Sequence, residues 1–484
     1  MMPKKTIDKV FILAGGLGSR LNTYGKHNLK AFIEIDDETL IERQINIINK
    51  YIDPSKIFIL VTKQLHTFKQ RLSNYENVNF INVKKDYSQK GLLLALLEID
   101  KELLESEKFM LFLVDEFFDE EDINDFYKRS QINDFSLLAA IKKFDFPEEY
   151  FKNYGVILDK KNDLIIDSIE KSKTILSDFF GTGLICTNKN FCSIVKENLD
   201  KNNILPLYSL ISKYSPTKFH ILKRKYININ SRVDLYNLKK TIRKNKKFKI
   251  DLIIPAYEEE KSIGYVINDF KDKVNKIIIA NKNAADNTEQ IALDSGATVF
   301  THNYTGYGNA IREGIKKSEA DIIILAEADG TFRSGDLDKI ISFIHECDMV
   351  IGTRTNSTFI QYGASMDIKK RFFNILFGKF ISFLWPGSST SFTDVGCTYR
   401  GFWRKQYNEL EKNFISHDAA FAPELTIEFI QKGYRVVEIP VNYYPRVVGR
   451  SKISGTFFGS AITALKMLKL IIVKRLKYLI INYI

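Results

Sequence analysis

The sequence predicts two α/β domains in tandem, followed by an amphipathic helix. Apolar runs that end in turn residues alternate with helical stretches, which is typical of parallel strands buried on both faces of a sheet. The series starts at the beginning of the chain and restarts near residue 250. Its first part is KVFILAGG, IFILVT, FMLFLVD and FSLLAAI, and its second part is DLIIPAY, KIIIAN, ADIIILAEAD and DMVIGTR.

Length and composition support more than one folded domain. A chain of 484 residues with 45% hydrophobic and 27% charged residues forms cores and is not disordered. The net charge of +12 favours anionic partners. Its four cysteines show neither metal-site spacing nor the density of a disulfide scaffold. With no signal-peptide pattern and no apolar run of about 20 residues, we expect a cytoplasmic protein that does not cross a membrane.

The boundary between the domains is predicted near residue 245. The stretch LKKTIRKNKKFK, residues 238–249, carries seven basic residues and no acid. We interpret it as the end of a helix that runs into a linker, because its charges are not regularly interleaved with aromatic residues as in a nucleic-acid site. The predicted domains are residues 1–245 and 246–456, with the helix at 457–484, and no nucleic acid is expected as a partner.

A glycine-rich loop follows the first predicted strand. Gly15, Gly16 and Gly18 allow backbone N–H groups to approach an anion, and the helix start behind them adds a positive dipole end. Arg20 and Lys30 would add positive charge for a polyphosphate. The alternative is an ordinary tight turn between a strand and a helix.

Further motifs along the first half of the chain decide between these alternatives. Residues 8–238 resemble the nucleotidyltransferases that make nucleotide sugars and related activated alcohols from a nucleoside triphosphate and a phosphomonoester. The motifs are Gly15–Leu21, Lys30-Ala31, LIERQ at 40–44, Gly91 in a base-binding turn, Asp115, Tyr154-Gly155-Val156, Glu170-Lys171, Asn228-Ile229-Asn230 and Asp234-Leu235.

The resemblance implies a role for each site residue. Asp115 would hold Mg²⁺ (or Mn²⁺), Arg20 and Lys30 would stabilise the α-phosphate and leaving pyrophosphate, and Glu170 and Lys171 would bind the sugar phosphate. Two positions depart from the family pattern. Leu29 replaces the usual proline, and the second metal ligand is Asn228 or Asn230. An amide oxygen can ligate Mg²⁺, although these asparagines could simply cap a turn.

The second half resembles another family. Residues 249–456 are similar to family-2 glycosyltransferases of the GT-A type, especially the dolichyl- or polyprenyl-phosphate sugar synthases. The motifs are DLIIPAYEEEKSIG, IIIANKNAADNTEQIA, GYGNAIREGI, IIILAEADGTF, VIGTRTN, DVGCTYRGFWR, APEL and YPRVVGRSK. Together the two resemblances imply two Rossmann-like α/β domains, a nucleotidyltransferase fold and then a GT-A fold.

Residue roles in the second half follow from this resemblance. Glu327 and Asp329 would share a divalent ion, and Asp394 would orient the acceptor or act as a base. The nucleotide site would comprise Pro255, Tyr257, Glu259, Asn281 and Asp286, and the phosphate clamp Arg354, Arg371, Arg446, Ser451 and Lys452. Asn281 stands where the family has an aspartate, and Gly330-Thr331 stands where a residue often assists the metal. Base preference is therefore open.

Two segments suggest a membrane surface. FFNILFGKFISFLW, residues 372–385, is apolar around one lysine, and residues 461–484 carry five basic residues and no acid. This composition suits a helix that lies in the interface of an anionic membrane. The alternative is a helix that packs on the protein itself or in a dimer.

The predicted function is a bifunctional, Mg²⁺- or Mn²⁺-dependent enzyme. It would form a nucleotide sugar or nucleotide polyol from a nucleoside triphosphate and a sugar or polyol phosphate, and then transfer the glycosyl group, most readily to polyprenyl phosphate at the inner membrane face. The alternatives are a soluble or saccharide acceptor, or one domain acting only as a binding or regulatory module. The sequence leaves homo-oligomer formation open.

Overall fold

A computed structural model describes most of the chain. The described residues are 7–14, 29–62, 64–83, 108–132, 135–170, 174–188, 190–191, 193, 197, 216–244, 246–283, 285–303, 306–386, 391–448 and 457–483. They divide into two compact units, the first ending at Leu238 and the second starting at Lys239. The prediction of two α/β domains in tandem is confirmed.

The first unit is built on a nine-stranded sheet with the order β5-β4-β1-β6-β11-β8-β12-β10-β9. Two small two-stranded sheets, β2-β3 and β7-β13, accompany it. The strands are β1 (Lys9–Leu13), β2 (Glu34–Ile35), β3 (Glu38–Thr39), β4 (Ile57–Val61), β5 (Asn79–Asn82), β6 (Phe109–Leu113), β7 (Glu116–Phe118), β8 (Leu137–Lys143), β9 (Tyr154–Asp159), β10 (Leu164–Glu170), β11 (Phe179–Thr187), β12 (Thr217–Leu222) and β13 (Tyr226–Asn228). The helices are α1 (Leu40–Ile48), α2 (Leu65–Arg71), α3 (Glu120–Ser130) and α4 (Pro147–Lys152), and α5 (Arg232–Lys244) begins in this unit and ends in the second.

Only part of this sheet is parallel. β1 pairs in parallel with β4 and β6, as the apolar runs predict. β11 is antiparallel to both β6 and β8, so the sheet is mixed. The ends of β1 and β6 lie side by side, and Val114 donates its N–H to the carbonyl of Leu13. This pairing brings Asp115 to the carboxyl edge of the sheet, beyond the end of β1.

The second unit has a seven-stranded sheet with the order β16-β15-β14-β17-β19-β18-β20. β19 is antiparallel to its two neighbours, and the other pairs are parallel. The strands are β14 (Ile250–Ala256), β15 (Lys276–Lys282), β16 (Thr298–His302), β17 (Ile322–Leu325), β18 (Met349–Thr353), β19 (Arg400–Trp403) and β20 (Val436–Pro440). The helices are α6 (Ile263–Phe270), α7 (Thr288–Asp294), α8 (Tyr307–Lys316), α9 (Leu337–Ile344), α10 (Ile368–Leu384), α11 (Arg404–Leu410), α12 (Phe421–Lys432) and α13 (Phe457–Tyr483).

The basic stretch at 238–249 is less exposed than its charge predicts. α5 continues to Lys244, and two of its basic side chains are buried. Lys239 pairs with Asp348 at 3.4 Å, while the Arg243 guanidinium lies 4.2 Å from the Trp403 ring centroid and donates to the Cys347 carbonyl. These contacts compensate for lost hydration, so this part of the stretch is packed structure and not solvated linker.

The C-terminal helix α13 is anchored to its own unit by a buried lysine. The Lys474 ammonium lies 2.6 Å from Glu424 and 2.7 Å from Glu428, both on α12, and it donates to the Asn413 carbonyl. All three charged side chains are buried. The sequence grouped Lys474 with the lysines expected to face a membrane, and that assignment is wrong for this residue. A helical wheel shows the residues of one helix only, and the acidic partners of Lys474 are on another helix.

This anchor gives a stability prediction. Replacing Lys474 with methionine should lower the free energy of unfolding of the second unit by about 3–5 kcal/mol, because two buried carboxylates would lose their counter-charge. Lys469→Met changes an exposed lysine of the same helix and should cost less than about 0.5 kcal/mol. Urea unfolding of both variants, followed by tryptophan fluorescence, measures the difference. Equal stability of the two variants would contradict the anchoring role.

Candidate functional sites

The first unit brings three of its predicted site residues together. The Lys30 ammonium is 2.5 Å from a carboxylate oxygen of Asp115 and 3.2 Å from the amide oxygen of Asn230. Lys30 is almost fully buried in a short 3₁₀ turn, whereas about a quarter of the Asp115 side chain is exposed. A cation and an oxygen-rich edge that opens to solvent can receive a polyphosphate and a divalent ion.

Backbone pairing and side-chain caps hold Asp115 and Asn230 in place. The Ile229 N–H donates to the Asp115 carbonyl at 2.8 Å, which ties the two loops together. Asn230 in turn donates its backbone N–H to Asp234 at the start of α5, and its side-chain N–H to Asn228. Asn228 therefore contacts Asn230 and not Lys30. Of the two predicted asparagines, Asn230 lies nearer to Asp115 and Lys30.

A buried acid beside Asp115 was missed by sequence reasoning. Glu116 accepts a hydrogen bond from the Gly183 N–H at 2.7 Å, and Gln44 donates to the carbonyl of Glu116. Burial, followed by the nearby charge of Asp115, raises the pKa of Glu116 to about 8. A Cβ on Gly183 would lie 2.3 Å from Leu113 and 2.9 Å from Glu116, so only glycine fits beneath the acid. The signal in the sequence that could have identified Glu116 was a carboxylate at the start of the short apolar run that follows Asp115.

Several predicted residues lie outside the described part of the chain. In the first unit they are Gly15, Gly16, Gly18, Arg20, Gly91 and Lys171, together with the side chain of Glu170. In the second unit they are Ser451 and Lys452. Their roles stay predictions.

In the second unit, two predicted carboxylates lie beyond the end of β17. Glu327 accepts a hydrogen bond from the Thr398 hydroxyl at 2.7 Å. Asp329 is buried and accepts from the backbone N–H and hydroxyl of Thr331 through one oxygen. Burial, followed by the charge of Asp329, raises the pKa of Glu327 to about 7. Two such close acids are stabilised by a cation.

An arginine supplies a cation at this site. The second carboxylate oxygen of Asp329 lies 2.6 Å from the Arg446 guanidinium, which is also 3.8 Å from Glu259. The backbone N–H groups of Tyr444 and Val447 donate to the Thr331 and Asp329 carbonyls. Gly330 between them has φ of +77°, and a Cβ there would lie 2.8 Å from the Val447 side chain. The segment that carries Arg446 is thus fixed against the acidic turn.

A second arginine is held by Asp394. The Arg354 guanidinium donates two hydrogen bonds of 2.8 Å to the two oxygens of Asp394, and the Arg354 backbone N–H donates to the same carboxylate. Asp394 is fully buried. Both of its oxygens are bound to Arg354, so Asp394 orients this guanidinium, and its predicted role toward the acceptor stays a prediction.

One further residue, Glu438, supports the pair of Arg354 and Asp394, and sequence reasoning missed it. Glu438 accepts hydrogen bonds from the backbone N–H groups of Thr393 and Asp394 and from the Thr393 hydroxyl. Arg371 donates to the Thr355 carbonyl, one residue after Arg354. The charge of Glu438 inside the strand sequence VVEIP was a detectable signal, because a partly buried acid in a strand needs hydrogen-bond partners.

The predicted nucleotide wall lies at the ends of β14 and β15. Pro255 is the second-last residue of β14, Tyr257 directly follows that strand, and Lys282 is the last residue of β15. Glu258, directly after Tyr257, has a left-handed backbone with φ of +53°, which is strained for a residue with a side chain. Asp286 accepts from the Thr288 hydroxyl and the Glu260 N–H, and Glu259 accepts from the Ser262 hydroxyl. Asn281 is buried, and its amide oxygen has no hydrogen-bond partner.

The residues present fit divalent ions at both sites. Among the described residues no group of three or more His, Cys, Asp and Glu side chains is placed to hold a metal. Each site instead offers one or two carboxylates, and in the first unit an amide oxygen. Such a set suits Mg²⁺ or Mn²⁺ when substrate phosphates complete the coordination. The second oxygen of the buried Asp329 carboxylate is paired with the Arg446 guanidinium at 2.6 Å, so an ion bound at Asp329 would share that oxygen with Arg446.

Comparison with known proteins assigns a family to each half. Residues 10–151 match the family model described as MobA-like NTP transferase domain. Residues 251–407 match the family model described as glycosyl transferase family 2.

Individual relatives match one half of the chain each. Glycosyltransferase AglJ of Haloferax volcanii is 27% identical over 41% of this chain, and the chain spans 64% of that relative's length. The dolichyl-phosphate hexose transferase of the same organism is 27% identical over 47% of this chain and 95% of its own length. Among solved structures, the inositol-1-phosphate CTP transferase of T. maritima is 19% identical and covers 50% of this chain and 98% of its own, with a TM-score of 0.41.

Proposed function

Because the chain carries a MobA-like NTP transferase domain and a family-2 glycosyl transferase domain, we propose that it catalyses two successive reactions. The first unit forms a nucleotide sugar or nucleotide polyol and releases pyrophosphate. The second unit transfers the glycosyl group of a nucleotide sugar to an oxygen of polyprenyl phosphate, and the nucleoside diphosphate leaves. The observation that carries this proposal is that each unit has its own acid and cation site, Lys30 with Asp115 and Arg446 with Asp329.

The first reaction needs little covalent help from the protein. A phosphate oxygen of the sugar phosphate attacks the α-phosphorus of the triphosphate, and the α–β phosphate bond breaks to release pyrophosphate. Lys30 would neutralise charge that develops on the phosphates, and Asp115 with Asn230 would hold Mg²⁺. The ion would contribute charge neutralisation of the triphosphate. The buried ion pair fixes Lys30 before substrate binds, which avoids reorganisation during the reaction.

The second reaction uses the carboxylates and arginines of the second unit. Glu327 and Asp329 would hold a divalent ion that neutralises the nucleotide diphosphate of the donor. The acceptor phosphate is already ionised, so no general base is required. Arg354, oriented by Asp394, and Arg446 provide the positive charge that an anionic acceptor needs. Tyr443 lies with its ring 5.5 Å from the Arg354 guanidinium.

An exposed apolar surface on α10 and α13 supports a lipid acceptor. The two helices pack against each other. Their exposed large apolar side chains are Ile368, Phe372, Phe373, Leu376, Phe383, Ile462, Leu465, Ile472, Leu476 and Ile480. On α13 these follow helical spacing, and the exposed Lys469 and Lys477 lie among them. Apolar side chains beside lysines suit the interface of an anionic bilayer. None of the helices described is both long and apolar enough to span a membrane.

A vesicle experiment tests this surface. The wild-type protein should co-float with vesicles containing anionic lipid, and binding should weaken at high salt because the lysine contribution is screened. Leu465→Glu with Leu476→Glu should reduce binding at least tenfold, since two apolar side chains no longer enter the interface. Leu293→Glu, which changes an exposed leucine on α7, is the control and should bind like the wild type. Transfer to a soluble saccharide without vesicle binding would favour the saccharide-acceptor alternative.

The activities are tested with substrate panels. Pyrophosphate release from nucleoside triphosphates with sugar or polyol phosphates identifies the first product, and mass spectrometry of a polyprenyl phosphate incubation identifies the second. A unit that shows no metal-dependent nucleotide binding would support the binding-module alternative.

A further inference from the structure

A chain of side-chain amides leads away from the cation site of the first unit. The amide oxygen of Asn230 accepts from the Lys30 ammonium at 3.2 Å, and its side-chain N–H donates to the amide oxygen of Asn228 at 2.8 Å. Asn228 in turn donates to the amide oxygen of Asn153 at 3.1 Å. Asn153 ends the chain by donating to the backbone carbonyl of Glu149 at 2.8 Å. Four hydrogen bonds in series therefore join Lys30 to α4.

The two ends of this amide chain fix the orientation of every amide in it. An ammonium can only donate hydrogen bonds, so the atom of Asn230 that faces Lys30 must be its oxygen. A backbone carbonyl can only accept, so the atom of Asn153 that faces Glu149 must be its nitrogen. Between these ends each N–H group meets an oxygen, and reversing a single amide would bring two donors or two acceptors together. The chain therefore has one arrangement, in which the Asn230 oxygen is on the side of Lys30.

Asn153 lies behind the cation site and not in it. It directly follows α4, it is buried, and its amide group is bonded to Asn228 and to the Glu149 carbonyl. The backbone of Asn230 is held separately, because its N–H donates to Asp234 at 3.1 Å. The position of the Asn230 backbone and the direction of its side chain thus depend on different contacts.

We infer that Asn153 and Asn228 are positioning residues for nucleotidyl transfer, because they hold the Asn230 oxygen toward the divalent ion. This inference rests on the proposed function, in which Asp115 and Asn230 hold Mg²⁺. An amide oxygen has two acceptor positions, so that of Asn230 can accept from Lys30 and also face an ion. Without the chain, the Asn230 side chain could rotate by half a turn and present its N–H groups, which repel a cation. Replacing residues that orient a metal ligand commonly weakens metal binding by about 10- to 100-fold.

Mn²⁺ titration of the full-length protein tests the inference. Binding is measured calorimetrically with the α,β-methylene analogues of ATP, CTP, GTP, UTP and dTTP, which cannot release pyrophosphate. Only binding that Asp115→Ala abolishes is assigned to the first unit. Asn153→Leu removes the acceptor for Asn228 and should weaken this binding by about tenfold. Asn228→Leu interrupts the chain next to Asn230 and should weaken it at least as much.

Two further variants separate the direction of the amide from the stability of the fold. Asn153→Asp keeps an acceptor for Asn228, so Mn²⁺ binding should stay within about threefold of the wild type. The same change buries a carboxylate against the Glu149 carbonyl and should lower thermal stability. Asn162→Leu removes an exposed amide that donates to Asp159, and it should change neither property.

The Mg²⁺ dependence of pyrophosphate release gives a second readout. In Asn153→Leu the Mg²⁺ concentration for half-maximal release should rise by about tenfold, and saturating Mg²⁺ should recover most of the rate. A loss of folded protein would instead lower the maximal rate alone. Wild-type Mn²⁺ binding by Asn153→Leu, or equal losses in Asn153→Leu and Asn153→Asp, would overturn the positioning role and leave the proposed function intact. Absence of Asp115-dependent Mn²⁺ binding, together with no pyrophosphate release from any of the five triphosphates, would overturn the proposed function of the first unit as well.

Discussion

Asp115→Ala should lower nucleotidyl transfer by at least about a thousandfold while leaving glycosyl transfer from a supplied nucleotide sugar within about twofold of the wild type. The carboxylate is the predicted ligand for the divalent ion and the partner of Lys30 at 2.5 Å. Loss of metal and cation positioning removes several kcal/mol of transition-state stabilisation, and each 1.4 kcal/mol corresponds to a factor of ten. Pyrophosphate release and donor consumption are measured separately on the same preparation.

The control for this variant is Glu120→Gln. Glu120 is an exposed acid at the start of α3 that pairs with Lys50 on the surface, so its removal should affect neither reaction. A folded Asp115→Ala protein that loses both activities would contradict the proposal of independent active sites. Retention of pyrophosphate release would show that Asp115 is not the metal ligand.

The sequence predicts the strands well because their apolar runs are continuous, but it does not predict every strand direction. β1, β6, β14 and β17 are recognisable because they are buried on both faces of their sheets. β19 runs antiparallel between β17 and β18, and nothing in the composition of its four residues indicates this direction. Pairing between distant strands depends on connections that local pattern does not encode.

The same limit applies to the sites. Asp115 and the pair Glu327 and Asp329 are predictable because a carboxylate directly after a buried strand lies at the edge of the sheet. The bidentate pairing of Asp394 with Arg354 joins residues 40 positions apart. The burial and ion pairing of Lys474 likewise depend on Glu424 and Glu428 of another helix. Residue type indicates that a charge needs a partner, but only the fold identifies which partner it finds.

Asp329→Asn gives the corresponding prediction for the second reaction. Asparagine has nearly the same shape, and its amide oxygen can still accept from the Thr331 N–H, so the turn should keep its conformation. The variant loses the negative charge that faces Arg446 and that would face the divalent ion. Glycosyl transfer should therefore fall by at least about tenfold, because loss of one metal carboxylate commonly removes more than 1.4 kcal/mol of transition-state stabilisation. Pyrophosphate release by the first unit should be unchanged.

The matched control is Asp338→Asn, which removes an exposed carboxylate that pairs with Lys273 on the surface of the same unit. Transfer rates of both variants are measured across a range of Mg²⁺ and Mn²⁺ concentrations. If Asp329 binds the ion, excess metal should recover part of the lost rate, because the remaining ligand Glu327 still attracts a cation. Unchanged transfer in Asp329→Asn, together with insensitivity of the wild type to a chelator, would remove the metal from the second site. The positive charge at the donor phosphates would then have to come from Arg446 and Arg354.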